Sequence, residues 1–239
     1  MSAPEKQSIV YLIPVTLHNE VIDTIPAYIT DAVKRCDVFF VENERSARRF
    51  LKLLWKEMVI DNYQWFVIHK AEEQVKSNFI KALKAGKNIG ILSEAGCPGV
   101  ADPGQLLVGF AHEHQAIVKP LVGPSSILLA LMASGMNGQR FQFNGYLPID
   151  NAEKMKMLKQ LESESARKDA TQLFMETPYR NNQLFDMMLK TLQPATLVSV
   201  AADLTSPAEF IQTKSTAEWK KNVPDLNKRP AIFSLKAKI

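Results

Sequence analysis

Asn88-Ile-Gly-Ile-Leu92 is apolar at nearly every step rather than at every second one, and it runs straight into Ser93-Glu-Ala-Gly-Cys-Pro-Gly-Val-Ala-Asp-Pro-Gly104. A strand of that composition must be covered on both faces, as the central strands of a parallel α/β sheet are. The segment after it can be neither helix nor strand. Pro98 and Pro103 lack an N–H, and Gly96, Gly99 and Gly104 permit positive φ. Open α/β sheets place their ligands at the carboxyl ends of such strands, so this loop is the first candidate site.

The rest of the first half supports that frame. Apolar runs at 9–13, 36–41, 66–68 and 117–122 read as strands. Between them, Ala47, Phe50, Leu51 and Leu54 form the i, i+3, i+4, i+7 stripe of a helix over 46–55. A second helix is predicted over 72–85, with Val75, Phe79 and Leu83 on one face and Gly86 stopping it, and a third over 105–114. Strands separated by helices imply a mostly parallel sheet. Gly123-Pro124 breaks the pattern, which places an N-terminal α/β domain over 1–122 and a C-terminal one over 123–239.

In the second half a helix over 127–134 follows Ser125 and Ser126, either of which can N-cap it, and Gly135 ends it. Strands are predicted at 173–175, 197–201, 209–213 and 231–235, with a helix over 182–192. The short gaps between the later strands imply hairpins and a mixed sheet. The polar run 162–169 reads as an exposed, mobile connection. The fold class is therefore α/β, in two domains, with a mostly parallel first sheet and a mixed second one.

Composition excludes several classes. With 46% hydrophobic and 23% charged residues the chain is ordinary for a globular protein. No apolar run approaches the ~20 residues that span a bilayer, and no apolar stretch precedes the first strand, so a cytoplasmic protein without membrane partners is expected. The two cysteines share no metal-ligand spacing: Cys36 reads as a small core residue and Cys97 lies inside the loop. A net charge of +4 permits an anionic partner without demanding one. Both common nucleotide signatures are missing, and Ile13-Pro-Val-Thr-Leu-His18 stands where a glycine-rich turn would follow the first strand. His112 and His114, two residues apart, do not share a helical face and read as a solvated helix end rather than a metal pair.

Three further features carry chemistry. Glu42 ends the second strand, facing the same crevice as the loop if the sheet is parallel. Arg45, Arg48 and Arg49 lie within about one helical turn, so they either meet one anion such as a substrate phosphate or form a solvated helix face. Glu176-Thr-Pro-Tyr-Arg180 follows a strand; it is either a helix start capped by Thr177 with Pro178 in its first turn, or a second ligand loop.

Together these segments resemble the tetrapyrrole methylase superfamily of S-adenosylmethionine-dependent methyltransferases, and most of all its branch acting on a ribose 2′-hydroxyl of small-subunit ribosomal RNA. The resemblance rests on Tyr11-Leu-Ile-Pro14 with Asn19, Glu42-Asn-Glu-Arg45, the loop from Ser93 to Gly104, Pro120-Leu-Val-Gly-Pro-Ser-Ser126, Ser134-Gly135, Phe143-Asn-Gly-Tyr-Leu-Pro148 and Glu176-Thr-Pro-Tyr-Arg180, in that order. Glu94 stands where Asp is commoner in the family, and Cys97 where Thr is usual. The resemblance implies S-adenosylmethionine bound in a cleft between two α/β domains, a homodimer, and ribosomal RNA or the small ribosomal subunit as partner. Carried over by position, the cofactor residues are Pro14, Ser93, Glu94, Ala95, Gly96, Gly99, Val100, Asp102, Ser125, Ser126, Met175, Tyr179, Ala202 and Ala231.

Methyl transfer from a sulfonium is an in-line displacement in which positioning contributes much of the acceleration, and it requires no metal. The acceptor hydroxyl must lose a proton. Asp102, Glu94 and Glu42, all at expected strand ends, are the candidate bases; the alternative for each is to hold loop backbone, and Asp102, in Ala-Asp-Pro-Gly, is at least as well suited to that. His18 and His69 qualify by residue type alone. A methylase of the same fold acting on a small molecule or a protein side chain, and a non-catalytic nucleotide-binding module, are the alternatives.

Overall fold

The computed structural model describes residues 7–18, 21–68 and 75–238. Asn19, His69 and the first residues of the helix expected over 72–85 lie outside them. The chain divides into two compact units, Met1–Ser125 and Ser126–Ile239.

The first unit alternates strand and helix in the order β1 (Ile9–Leu12), α1 (Ile29–Lys34), β2 (Val38–Val41), α2 (Glu44–Leu54), β3 (Gln64–Val67), α3 (Lys76–Lys84), β4 (Ile89–Leu92), α4 (Gln105–Glu113) and β5 (Ile117–Pro120). Its five strands lie in the order β3-β2-β4-β1-β5, all parallel. β2 and β4 are buried at every residue because both faces are covered, which is why their sequences do not alternate. The side chains nevertheless divide by the two-residue strand period. Tyr11, Phe39, Val41 and Leu92 join α1 and α2 in one core layer, while Val10, Val38, Phe40, Ile89 and Ile91 join α3 and α4 in the other. Gly90 fits this scheme for a steric reason: a Cβ there would lie 2.6 Å from the Phe39 ring, which stacks on Trp65 at 4.9 Å. Cys36 is a core residue as expected, its thiol donating to the Ala32 carbonyl at 3.4 Å.

The second unit comprises α5 (Ser126–Ala133), β6 (Phe141–Tyr146), α6 (Asn151–Lys168), β7 (Thr171–Met175), α7 (Asn181–Thr191), β8 (Leu197–Ala202), β9 (Phe210–Ser215), α8 (Thr216–Trp219) and β10 (Ala231–Lys236). Its sheet runs β6-β7-β10-β8-β9, with β6 and β7 parallel and the other pairs antiparallel, a mixed sheet as expected. Phe174, Val198, Val200, Phe233 and Leu235 pack under α6, α7 and Trp219 of α8, whose indole N–H donates to the Val198 carbonyl at 2.9 Å.

One expectation fails outright. The run 162–169 is not a mobile connection: residues 162–168 are the last two turns of α6, an 18-residue helix capped by the Asp150 side chain, and Asp169 is its left-handed C-cap. Its buried face is Lys154, Leu158, Leu161 and Ser165; Ser163, Arg167 and Lys168 of the run are exposed on its outer side, and half-buried Glu162 accepts the Gln193 N–H at 2.8 Å and the Thr196 hydroxyl at 2.5 Å. Ser165 closes the end of the helix, donating to the Ala170 carbonyl at 2.7 Å and accepting the Ala237 N–H at 3.0 Å. Among the described residues, no helix is long and apolar enough to cross a membrane.

Candidate active site

In the first unit β1 and β4 are neighbours, yet the helices that follow them pack on opposite faces of the sheet. The chain therefore leaves these two strands in opposite directions, and a crevice opens at their carboxyl ends. Three loops meet there. Val15 and Gly96 form an antiparallel bridge, Val15 N–H to Gly96 O at 2.8 Å and Gly96 N–H to Val15 O at 3.0 Å. Gly123 lies so close to Pro14 that a Cβ on it would stand 2.1 Å from the proline Cβ. The Cys97 thiol donates to the Pro124 carbonyl at 3.4 Å. Pro14, the glycine-rich loop and the segment leading to Ser125 and Ser126 are thus brought together, with both serines half-buried.

The loop turns repeatedly through left-handed backbone, at Gly96 (φ 72°), Gly99 (φ 79°), Ala101 (φ 64°) and Gly104 (φ 125°). Alanine in that region costs roughly 1–2 kcal/mol, a local strain of the kind that clusters at functional sites. Gly99, Val100 and Ala101 are exposed, whereas Ser93 is buried with its hydroxyl on the Ala95 carbonyl at 3.1 Å.

The three candidate acids share this region and play different parts. Glu42 accepts the Glu94 backbone N–H at 2.9 Å, tying the end of β2 to the loop after β4. Glu94 is exposed and accepts the Ser46 hydroxyl at 3.3 Å. Asp102 has its carboxyl raised from 3.8 to about 6, by burial first and then by the charges of Glu42 and Glu94, against a hydrogen bond from Ser93 that pulls the other way. The same surroundings raise the Cys97 thiol, through burial and then the charge of Asp102. A carboxyl that titrates near neutrality, beside exposed loop backbone, suits a proton acceptor.

The arginines do not act as a trio. Arg48 is drawn back, 2.5 Å from Glu44 and with its guanidinium 5.1 Å from the Trp65 ring centroid, while Arg45 and Arg49 are exposed. The N-terminus of α2 is set by Asn43, whose side chain accepts from Arg45 N at 3.0 Å and Ser46 N at 3.3 Å. His112 and His114 are exposed at the end of α4.

In the second unit, strand register gathers three of the four expected residues at one end of the sheet: Ala231 pairs with Ala202, and the adjacent Ile232 pairs with Met175. Ala202 and Ala231 are buried, whereas Tyr179, in the 3-10 turn Pro178–Arg180, is 75% exposed. Pro178 does open that turn, but Thr177 makes no side-chain cap; its hydroxyl accepts from Arg180 Nε at 3.1 Å instead. Glu176, which opens this motif, organises the turn. Lys154 Nζ lies 2.9 Å from its Oε2, while Thr177 N–H (2.8 Å) and Arg180 Nη2 (2.8 Å) donate to its Oε1. Burial alone would raise this carboxyl; the donors outweigh it and hold it below the usual range.

Comparison with known proteins agrees with this architecture. Residues 24–219 match the model of the family described as Tetrapyrrole (Corrin/Porphyrin) Methylases. The chain is 31% identical to the Ribosomal RNA small subunit methyltransferase I of Vibrio cholerae over 219 residues, covering 91% of this chain and 72% of that protein. It is 30% identical to the protein of the same name from Escherichia coli O157:H7, covering 95% of this chain and 77% of that one. The crystal structure of the methyltransferase CobJ shares the fold, with a TM-score of 0.63 at 16% identity over 97% of this chain and 94% of that one. With the family's model spanning both units and relatives of this identity along nearly its whole length, the chain belongs to the Tetrapyrrole (Corrin/Porphyrin) Methylases and is a methyltransferase.

Proposed function

We propose that this protein transfers a methyl group from S-adenosylmethionine to a ribose 2′-hydroxyl of small-subunit ribosomal RNA. The observation that carries the reading is its relationship, over 91% and 95% of its length, to two proteins named for methylation of that RNA. The loop geometry fits the cofactor. A Cβ on Gly99 would meet nothing nearer than Gln105 N at 3.9 Å, and Gly123 lets backbone approach Pro14 closely. The exposed backbone at Gly99 is open to an extended polar ligand, while Gly123 serves the packing of the two loops. The cofactor, when bound, supplies a methyl on a sulfonium.

Pro14, Ser93, Glu94, Ala95, Gly96, Gly99, Val100 and Ser125 would hold the cofactor from the first unit, and Ser126, Met175, Tyr179, Ala202 and Ala231 from the second. Asp102 is the best-suited general base, because its carboxyl is ionised at neutral pH yet raised far enough to accept a proton. Glu42 acts through structure, holding the Glu94 N–H. Arg45 and Arg49, exposed on the first turns of α2, would take RNA phosphate. We place the protein in the cytoplasm as a homodimer, the assembly that the family resemblance implies.

Calorimetry with S-adenosylhomocysteine tests the cofactor. Binding at micromolar concentration is expected, and no heat at high micromolar concentration would remove the reading. Ribose methylation of small-subunit RNA from a strain lacking the protein tests the acceptor: one 2′-O-methyl group should disappear. An unchanged pattern would shift the assignment to a small-molecule or protein methylase.

A further inference from the structure

We propose that Lys154 and Arg180 are positioning residues, clamping the Glu176 carboxylate so that the turn after β7 presents Met175 and Tyr179 in one fixed conformation. This rests on the reading that those two residues contact the cofactor.

The clamp is costly by design. Lys154 sits on the buried face of α6 in line with Leu158, Leu161 and Ser165, the face that helical patterning reserves for apolar residues. The side chains of Lys154 and Glu176 are 3% and 2% exposed. Taking two such charges out of water carries a large desolvation cost that their attraction only partly returns, so an apolar pair there is often no less stable. What the ions add is direction. Oε2 faces Lys154, and Oε1 takes Thr177 N–H together with Arg180 Nε at 3.1 Å and Nη2 at 2.8 Å. The chain from 176 to 180 is thereby folded back onto one carboxylate, and that carboxylate is fastened to a helix 22 residues earlier in the sequence. A further bond, Lys228 N–H to the Pro178 carbonyl at 3.0 Å, fixes the turn from its other side. Tyr179 stands out from this braced turn, 75% exposed although its backbone is pinned.

The test uses Lys154→Met, with Glu176→Gln as a second variant that keeps the side-chain shape, each read at 25 °C after circular dichroism confirms the fold. Two measurements are made: the Kd for S-adenosylhomocysteine by calorimetry, and amide exchange along the chain. Positioning predicts a Kd raised about tenfold and exchange at 176–180 accelerated about tenfold or more, with β8 and β10 keeping wild-type protection. A Kd within twofold of wild type in a folded variant, or acceleration spread evenly over the second unit, would overturn it. Should the wild-type protein itself not bind S-adenosylhomocysteine, the cofactor reading fails. Exchange at 176–180 then still decides whether the clamp sets the turn.

Discussion

Asp102→Asn isolates the electrostatic cost of the loop. The Asp102 carboxyl is displaced upward from 3.8 to about 6 by burial and by Glu42 and Glu94. A group whose folded pKa lies above its unfolded value favours the folded state most at low pH and loses that favour as pH rises through the folded pKa. At about 1.4 kcal/mol per pH unit the displacement sets a ceiling of about 3 kcal/mol, and partial exposure of the side chain reduces it to about 1–2 kcal/mol. Asparagine keeps the shape and can still pair with Ser93 while removing the charge. Urea unfolding of both proteins at pH 4.5 and pH 7.5 should show the variant gaining about 1 kcal/mol on wild type between the two, while methyl transfer falls by about 10²-fold or more at pH 7.5. A stability difference that is the same at both pH values, or that favours wild type as pH rises, would refute the assignment of a strained carboxyl to Asp102.

Other perturbations follow from the packing. Gly90→Ala drives a methyl into the Phe39 ring and the Ile13 side chain, and should cost about 1–3 kcal/mol in urea unfolding. Gly123→Ala must displace Pro14; it should raise the Kd for S-adenosylhomocysteine about tenfold in calorimetry while the C-terminal unit's amide protection stays unchanged. Asn43→Ala removes the cap of α2 and should lower stability by about 1 kcal/mol at the unfolding midpoint.

The parallel sheet of the first unit was legible because β2 and β4 are buried throughout and their sequences say so. The loop after β4 was legible for a similar reason: its glycines and prolines answer to backbone conformation, which is a local property. What depended on distant partners was not. α6 escaped because two of its four buried positions, Lys154 and Ser165, are polar, which hides the helical stripe. β6 is an edge strand whose register shifts between Phe143 and Tyr146, and its Asn-Gly interrupts the alternation. The arginines looked equivalent by spacing, and only the position of Trp65 and Glu44 separates Arg48 from the other two. Glu42 and Glu94 are joined by one hydrogen bond across 52 residues, and Lys154 and Glu176 across 22, contacts that no local pattern encodes.

Methyl transfer by the purified protein, from labelled S-adenosylmethionine to small-subunit RNA or subunits of a strain that lacks it, measures the central claim most directly. The account predicts about one methyl per RNA, on a ribose 2′-oxygen by mass mapping, with incorporation lost in Asp102→Asn. Label on a base, or no incorporation into RNA by a protein that binds S-adenosylhomocysteine, would contradict it.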